Sequence, residues 1–200
     1  MAEENKINEE VQPKKTTKKK VVKEPEKLTS AQKRKILKDS EAVIVNNIGA
    51  FVFYQDDTLG VEIELPEYGD QDIVEVEVLR RMAMKSKGFF ENYWILVVDF
   101  ICDDDRIELE DVYEYLGISK YYKGLETLPN GDFFDELLLE SNYKDFKKYI
   151  EKMNAKLMTQ LCNRAMSLYQ QGEFINSIKM QAIEEKIDRE GFFQDIKIED

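Results

Sequence analysis

The spacing of the apolar residues changes along this chain, and that change limits the folds it can adopt. Between Val61 and Leu65 the apolar residues alternate with glutamates, as expected of a β-strand with one buried face. From Leu157 to Leu168 they recur every three or four residues, as expected of a helix buried along one stripe. Strands therefore precede helices. The sequence predicts an α+β fold in which a small mixed β-sheet domain is followed by a C-terminal helical bundle.

The predicted sheet domain covers residues 42–103. Two apolar runs, Val43–Val45 and Phe51–Tyr54, flank a segment rich in asparagine and glycine, which predicts a β-hairpin. The segment 73–87 begins with strand spacing and continues with helical spacing, which favours a short strand that passes into a helix. The run Trp94–Val98 is the most apolar in the chain and predicts the central strand of the sheet.

The predicted helical bundle covers residues 104–190, and its helices are expected to begin at residues that cap helix N-termini. These caps are Asp132, Asn142, Asn154 and Asn176. Gly117 and Gly172 each follow a helical stretch and predict helix ends. In the helix after Asn142, the stripe expected to face the core consists of Tyr143, Phe146, Ile150 and Met153. Residues 191–200, which include Phe192 and Phe193, are expected to be a frayed acidic end.

The N-terminal segment differs in charge from the rest of the chain. Residues 1–41 hold 12 Lys and Arg against eight Asp and Glu, whereas the whole chain has a net charge of −12. The remaining residues therefore form a strongly acidic body. Residues 1–28 lack the apolar content needed to order a backbone and are predicted to be a disordered basic tail. Residues 29–41 predict a short capped helix and linker that dock Leu28, Ile36 and Leu37 onto another element.

The basic tail is a candidate docking segment. Its candidate docking residues are Lys14, Lys15, Lys18, Lys19 and Lys20. An acidic body repels the phosphates of a nucleic acid, so any contact with nucleic acid is expected to come from the tail. Such a contact would be sensitive to salt and would not depend on base sequence.

Several classes of function lack the residues they need. The chain contains no histidine, which removes the commonest general base and the commonest metal ligand. It has neither a P-loop motif nor a GxGxxG motif for binding phosphate. Cys102 and Cys162 lack CxxC spacing and are interpreted as buried small hydrophobic residues. We therefore expect a protein that is not an enzyme and has no cofactor.

The hydropathy of the chain argues against a membrane protein. No stretch of about 18 uncharged apolar residues occurs, and the sequence does not begin with a secretory leader. The expectation is a protein of the cytoplasm, or of a particle assembled there, without contact with a membrane.

Acidic residues leave two interpretations open. Seven carboxylates lie between Asp99 and Asp111, but in neither tested register do they match the ligand spacing of an EF-hand loop. A solvated acidic loop is favoured, and a divalent-cation site is the alternative. A second group, predicted to be the solvent-exposed face of the sheet, consists of Glu62, Glu64, Glu75 and Glu77. Such a face would also complement a basic partner.

Aromatic residues are the candidates for an interface. The candidate interface residues are Phe89, Phe90, Tyr93, Trp94, Tyr121 and Tyr122. The first four are nearly consecutive and cannot all point inward, so core packing is expected to explain about three of them. If Trp94 belongs to the core, Trp94→Ala should cost about 3 to 5 kcal/mol. Normal stability with lost assembly would instead place Trp94 at an interface.

Three groups of segments together carry a resemblance to a known family. They are Ala42–Gly49 leading to Tyr54, Tyr68–Asp70 leading through Leu79–Met82 to Phe89–Ile95, and Tyr115–Gly117 followed by Lys120–Tyr122. Over residues 42–190 the chain resembles an uncharacterised virion or assembly protein family of tailed bacteriophages that infect Gram-positive bacteria. The resemblance implies a structural role in the phage particle and offers no catalytic residues. The acidic segment 99–110 is longer here than in that family.

Two hypotheses about function follow. The first is a bacteriophage structural or assembly protein that binds other virion proteins or itself, as a homo-oligomer. It would be found in the host cytoplasm during assembly and then in the virion. The alternative is a phage-encoded acidic inhibitor that mimics nucleic acid and blocks a host DNA-binding enzyme.

Overall fold

The computed structural model describes residues 27–123 and 133–194, and it has the predicted α+β fold. The strands are β1 Glu41–Asn46, β2 Val52–Asp56, β3 Val61–Leu65, β4 Gln71–Glu75 and β5 Ile95–Ile101. The first five helices are α1 Ser30–Lys38, α2 Val76–Lys85, α3 Gly88–Glu91, α4 Leu109–Leu116 and α5 Ser119–Tyr122. They are followed by α6 Phe133–Asp135 with a π-helical turn Glu136–Glu140, α7 Tyr143–Lys152, α8 Ala155–Gln170 and α9 Ser177–Ile187.

The strands form two antiparallel sheets, where the sequence predicted one mixed sheet. The larger sheet has the order β4-β1-β5, and the smaller consists of β2 and β3. The predicted hairpin between β1 and β2 is therefore wrong. The chain leaves β1 at Asn46, whose side-chain amide donates to the carbonyls of Ala50 and Leu65. These bonds carry the chain away to the second sheet instead of folding it back along β1.

The prediction that the run Trp94–Val98 forms the central strand is also wrong, because β1 is central and β5 lies at an edge. Four successive residues of β5, Ile95–Val98, are buried, so both faces of the strand are covered at that end. An apolar run indicates that both faces of the strand are buried, and a strand at the edge of a sheet can also be buried on both faces. The alternation in β3 is confirmed, as is the passage from a strand into a helix between β4 and α2.

Two tyrosines bond to the free edge of β5 at Val97. Backbone N–H and C=O groups along β1 point alternately to its two neighbouring strands. Those of Asn46 point towards β4 and the N–H of Asn47 points towards β5, so the groups of Ile44, two residues before Asn46, also point towards β4. Val97, which lies opposite Ile44, therefore directs its backbone groups away from β1. The hydroxyl of Tyr122 accepts from Val97 N at 2.8 Å, and the hydroxyl of Tyr113 donates to Val97 O at 2.9 Å. The two rings stack at 4.1 Å, and burial raises the pKa of both phenols.

The first helix docks onto the body as predicted. Thr29 caps α1, and its capping box with Gln32 satisfies two backbone N–H groups. Leu37 is 1% exposed, and Leu28 and Ile36 pack against the core. An ion pair between Lys33 Nζ and Asp111 Oδ1, at 2.6 Å, ties α1 to α4.

The predicted helix caps are confirmed where the structure describes them. The side chains of Asn142, Asn154 and Asn176 each accept a hydrogen bond from the backbone N–H three residues ahead. Gly117 and Gly172 end their helices with positive φ angles. Asp132 lies outside the described residues. Of the stripe predicted in α7, Phe146, Ile150 and Met153 are buried, but Tyr143 is exposed.

The chain end at Phe192 and Phe193 is packed, so the predicted fraying of these two residues is wrong. Phe193 is 1% exposed and contacts the rings of Tyr169 and Phe174 edge-on. These aromatic contacts hold the segment after α9 against the C-terminal end of α8. Residues 195–200, the remainder of the predicted acidic end, lie outside the described residues.

A buried lysine joins α9 to the π-helical turn. Lys179 is 1% exposed, and its ammonium group donates to the carbonyls of Leu137 and Leu138 at 3.1 and 2.7 Å. These carbonyls lie near the end of a helical segment, where backbone acceptors lack helical partners. Burial lowers the pKa of Lys179. One cluster of buried residues, from Leu37 to Phe193, includes side chains from both the sheets and the helices.

Candidate functional site

Two buried asparagines at the end of β1 fix the surface that carries the exposed aromatic residues. Asn46 holds Ala50 and Leu65 through its side-chain amide, and its oxygen accepts from Ile48 N at 2.9 Å. The amide of Asn47 donates to Tyr93 O at 2.9 Å, and Asn47 N donates to Trp94 O at 2.9 Å. The segments before Phe51 and around Trp94 are therefore anchored to the same corner of the molecule.

The aromatic residues at this corner form two pairs. Phe51 and Phe53 stack with their ring centroids 6.2 Å apart and are 57% and 43% exposed. Trp94 is 38% exposed and meets the ring of Phe89 edge-on at 5.7 Å. Phe89 in turn contacts the buried ring of Tyr54 at 6.0 Å. We call the exposed residues Phe51, Phe53 and Trp94, together with the half-buried Phe89, the aromatic surface. Exposed aromatic side chains on a fixed backbone are typical of the anchors of protein interfaces.

The rim of the aromatic surface is acidic along β3. Phe53 lies directly opposite Glu64 and Gln55 opposite Glu62, and all four side chains are exposed on the outer face of the β2–β3 hairpin. Glu75, at the end of β4, is also exposed, as predicted for this group. Glu77 lies in α2 instead and accepts a hydrogen bond from the hydroxyl of Tyr115 at 2.7 Å. A partner with an apolar pocket and cationic neighbours would complement this rim.

The β2–β3 hairpin is attached to α2 by buried charges. Asp56, at the end of β2, accepts from Arg81 Nε at 3.0 Å, from Lys85 Nζ at 3.2 Å and from Thr58 N at 3.0 Å. Its side chain is 1% exposed. The guanidinium of Arg81 holds the pKa of this carboxyl well below its usual range. The hairpin that carries Phe53 is therefore fixed at both ends.

Three of the six predicted interface residues belong to the core. Phe90, Tyr93 and Tyr122 are buried and cannot meet a partner. Tyr121 is half-buried, with the ammonium of Lys120 placed 4.8 Å from its ring centroid. Only Phe89 and Trp94 of the predicted group reach the aromatic surface. Phe51 and Phe53 were missed because they were assigned to a hairpin with β1, although their spacing of two already placed them on one face.

Tyr93 links the sheet to the helices from its buried position. Its φ of 56° is left-handed, which is uncommon for a bulky residue. Its hydroxyl donates to Tyr121 O at 2.9 Å and accepts from the side-chain amide of Asn154 at 2.6 Å. Burial raises the pKa of this phenol. The turn that presents Trp94 is therefore held from below by bonds to α5 and to the start of α8.

Two of the acidic residues between 99 and 111, Asp104 and Asp111, stabilise local structure. Arg106 pairs with Asp104, which lowers the pKa of that carboxyl to about 2. Asp111 pairs with Lys33, and its other oxygen accepts from Glu108 N in a capping box at the start of α4. In the part of the chain that the structure describes, no three Cys, Asp or Glu side chains are placed to hold a metal ion.

Two further predictions fall at the limits of the structure. The candidate docking lysines, Lys14 to Lys20, lie outside the described residues. Within residues 27–123 and 133–194, no helix has the length and apolar character needed to cross a bilayer.

No protein family model matches the chain, and neither a curated protein nor a solved structure matches it. The geometry of the aromatic surface is therefore the main basis for a functional assignment.

Proposed function

We propose that the protein is a bacteriophage structural or assembly component that binds other virion proteins, or further copies of itself, through the aromatic surface. The observation that carries this proposal is the exposure of three aromatic side chains, the stacked pair Phe51 and Phe53 and the ring of Trp94, on segments anchored by the buried asparagines. The phage setting rests on the resemblance described for residues 42–190. Under this proposal, the protein is found first in the host cytoplasm during assembly and then in the virion.

The energetics of association favour these residues as anchors. A fully buried aromatic side chain removes about 150 to 250 Å² from water, and a few such anchors commonly dominate the affinity of an interface. Their backbones are already fixed by the buried asparagines, so little further ordering opposes binding. The exposed carboxylates of Glu62 and Glu64 at the rim would select partners that carry a positive charge there.

The proposal is tested by removing aromatic side chains from the surface without touching the core. The double variant Phe53→Ser and Trp94→Ser should be depleted at least tenfold from purified particles of the phage that encodes the protein, as measured by quantitative mass spectrometry. Tyr143→Ser is the matched control, because Tyr143 is an aromatic residue of similar exposure on α7. Equal incorporation of both variants, at equal thermal stability, would contradict the proposal.

A second candidate function is an acidic inhibitor that mimics nucleic acid. The observations in its favour are the exposed carboxylates of Glu62 and Glu64 on one face of β3 and, in the other sheet, the exposed carboxylate of Glu75 directly opposite Glu41. Like charges directly opposite one another destabilise a sheet, so their presence there favours a role in binding. A mimic would be missing from particles, and it would bind a basic host protein with an affinity that falls steeply with salt.

A further inference from the structure

The outer face of the larger sheet is a second exposed surface. Ile73 on β4 is 53% exposed and lies opposite Val43, which is half-buried on β1. Ile101 on β5 is 48% exposed and lies opposite Glu41. The three apolar side chains therefore form a strip that crosses the three strands diagonally, and covering this strip would remove apolar area from water.

Carboxylates occupy the neighbouring positions of the same face. Glu41 lies opposite Glu75, and Asp99 lies opposite Val43. All three acidic side chains are exposed, and β1, β4 and β5 contain no lysine or arginine. Like charges directly opposite one another destabilise a sheet. Within the described residues neither glutamate forms an ion pair, so their negative charge is left uncompensated.

A cleft of about 770 Å³ continues this face beyond the start of β1. It lies between the C-terminal end of α1 and the segment that follows β5. Among the described residues that line it, Lys38 is the cation, and the carboxylates are Asp39, Glu41, Glu75, Asp103 and Asp104. Asp104 is paired with Arg106. The cleft therefore suits a long cationic side chain.

We propose that this sheet face binds a partner protein through a basic segment that also carries aliphatic residues. The aliphatic side chains cover the strip of Ile73, Val43 and Ile101, and lysine or arginine side chains meet the carboxylates and enter the cleft. A nucleic acid does not fit, because the same carboxylates repel its phosphates. Glu41 lies five residues from Asn46 along β1, about 17 Å away. The sheet face shares no residue with the aromatic surface, so either surface can fail to bind without the other.

The role of the carboxylates is tested with a fluorescent octapeptide in which lysine and valine alternate. Its binding is measured by fluorescence anisotropy at physiological salt. Glu41→Gln with Glu75→Gln should raise the Kd at least tenfold without lowering the melting temperature, because the change relieves repulsion between the two side chains. The matched control, Glu62→Gln with Glu64→Gln, removes two exposed carboxylates from β3 and should bind within a factor of two of the original chain.

The role of the apolar strip is tested with the same peptide. Ile73→Ser with Ile101→Ser should raise the Kd at least fivefold. The matched control, Ile175→Ser with Ile178→Ser, removes two isoleucines of greater exposure at the start of α9 and should leave the Kd unchanged. An octapeptide in which lysine and serine alternate should bind the original chain at least fivefold more weakly than the lysine–valine peptide.

Cys102 provides a measurement that requires no variant. Its thiol lines the cleft and is half-buried, whereas Cys162 is buried on α8. Saturating lysine–valine peptide should slow alkylation of Cys102 by a maleimide at least fivefold and leave that of Cys162 unchanged, as measured by mass spectrometry of the digested chain.

Three outcomes would overturn the proposal. Equal weakening by the two glutamate pairs would show that net charge alone attracts the peptide. Unchanged binding by Ile73→Ser with Ile101→Ser would show that the strip takes no part. Protection of Cys102 that rises with protein concentration in the absence of peptide would show that a second copy covers the face.

Discussion

Asp56 and Arg81 form a two-point ion pair that joins the end of β2 to α2. Arg81 Nε donates to Asp56 Oδ2 at 3.0 Å, and a second guanidinium nitrogen donates to Oδ1 at 3.2 Å. Planar pairing of this kind is more directional than a single charged contact. It holds the β2–β3 hairpin, and with it Phe53, on the side of the helix.

This ion pair predicts a loss of stability in acid. The pKa of Asp56 in the folded protein lies below its ordinary value of 3.8, so its contribution is complete above that value and is lost as the pH falls towards the folded pKa. Asp56→Asn should therefore lower the melting temperature by several degrees at pH 7, and the difference from the original chain should shrink below about pH 4. Asp57→Asn, at the exposed neighbouring position, should match the original chain throughout. If the difference in melting temperature between Asp56→Asn and the original chain stayed constant down to pH 2.5, the stabilising role of the Asp56 carboxylate would be contradicted.

The two tyrosines that bond to β5 predict unequal losses of stability for the substitutions Tyr122→Phe and Tyr113→Phe. Tyr122→Phe leaves Val97 N–H buried without an acceptor, and Tyr113→Phe leaves Val97 C=O without its donor. Each change should cost about 1 to 3 kcal/mol in urea unfolding. Tyr122→Phe should cost more, because orphaned N–H groups are tolerated less well than under-satisfied carbonyls. Tyr143→Phe is the exposed control and should change the stability by less than about 0.5 kcal/mol.

The position of Trp94 predicts a small effect on stability. Because Trp94 is exposed, Trp94→Ala should cost only about 1 kcal/mol, and the core value of 3 to 5 kcal/mol should belong to Phe90→Ala. Chemical unfolding of the two variants under the same conditions makes the comparison. A larger loss in the free energy of unfolding for Trp94→Ala than for Phe90→Ala would indicate that Trp94 is part of the core.

The burial of Lys179 predicts that this lysine stabilises the fold. Lys179→Ala removes a packed aliphatic stem and the donor to the carbonyl of Leu138, and should cost about 2 to 3 kcal/mol. Lys148→Ala, at an exposed position on α7, should be neutral within about 0.5 kcal/mol. Thermal unfolding followed by circular dichroism would measure both. Equal effects at the two positions would show that the buried bonds contribute nothing.

The first helix sets the boundary for N-terminal truncation. Deletion of residues 1–26 should change the melting temperature by no more than a degree or two, because that sequence carries little apolar surface. Deletion through Lys38 should lower it strongly, because it removes the buried Leu37 and the pair of Lys33 with Asp111. A large drop from the shorter deletion would show that the first 26 residues contribute to the folded body.

Local signals in the sequence predicted the helices well. The caps at Thr29, Asn142, Asn154 and Asn176 depend on contacts within three residues, which the sequence displays directly. The period in α8 was equally direct, because one long helix presents its buried stripe without help from distant segments.

Strand pairing could not be predicted in the same way. The choice between β2 and β5 as the neighbour of β1 depends on where the amide of Asn46 finds its acceptors, and one of these, Leu65, is 19 residues away. Apolar content showed that Ile95 to Val98 would be buried, but burial on both faces does not fix a place in the sheet.

The candidate surface was predicted only in part for a related reason. A cluster of aromatic residues in the sequence does not show which rings point outward. Phe90 and Tyr93 turn inward on a short helix and a left-handed turn that the apolar pattern did not reveal. Phe193 is packed because Tyr169 and Phe174 meet its ring, and those partners lie about twenty residues earlier.

The tyrosines bonded to β5 limit where a further strand can join the larger sheet. Tyr113 and Tyr122 occupy the outward-facing backbone groups of Val97. A second copy that added a strand along the outer edge of β5 would first have to break both hydrogen bonds, so the sheet resists extension at that edge.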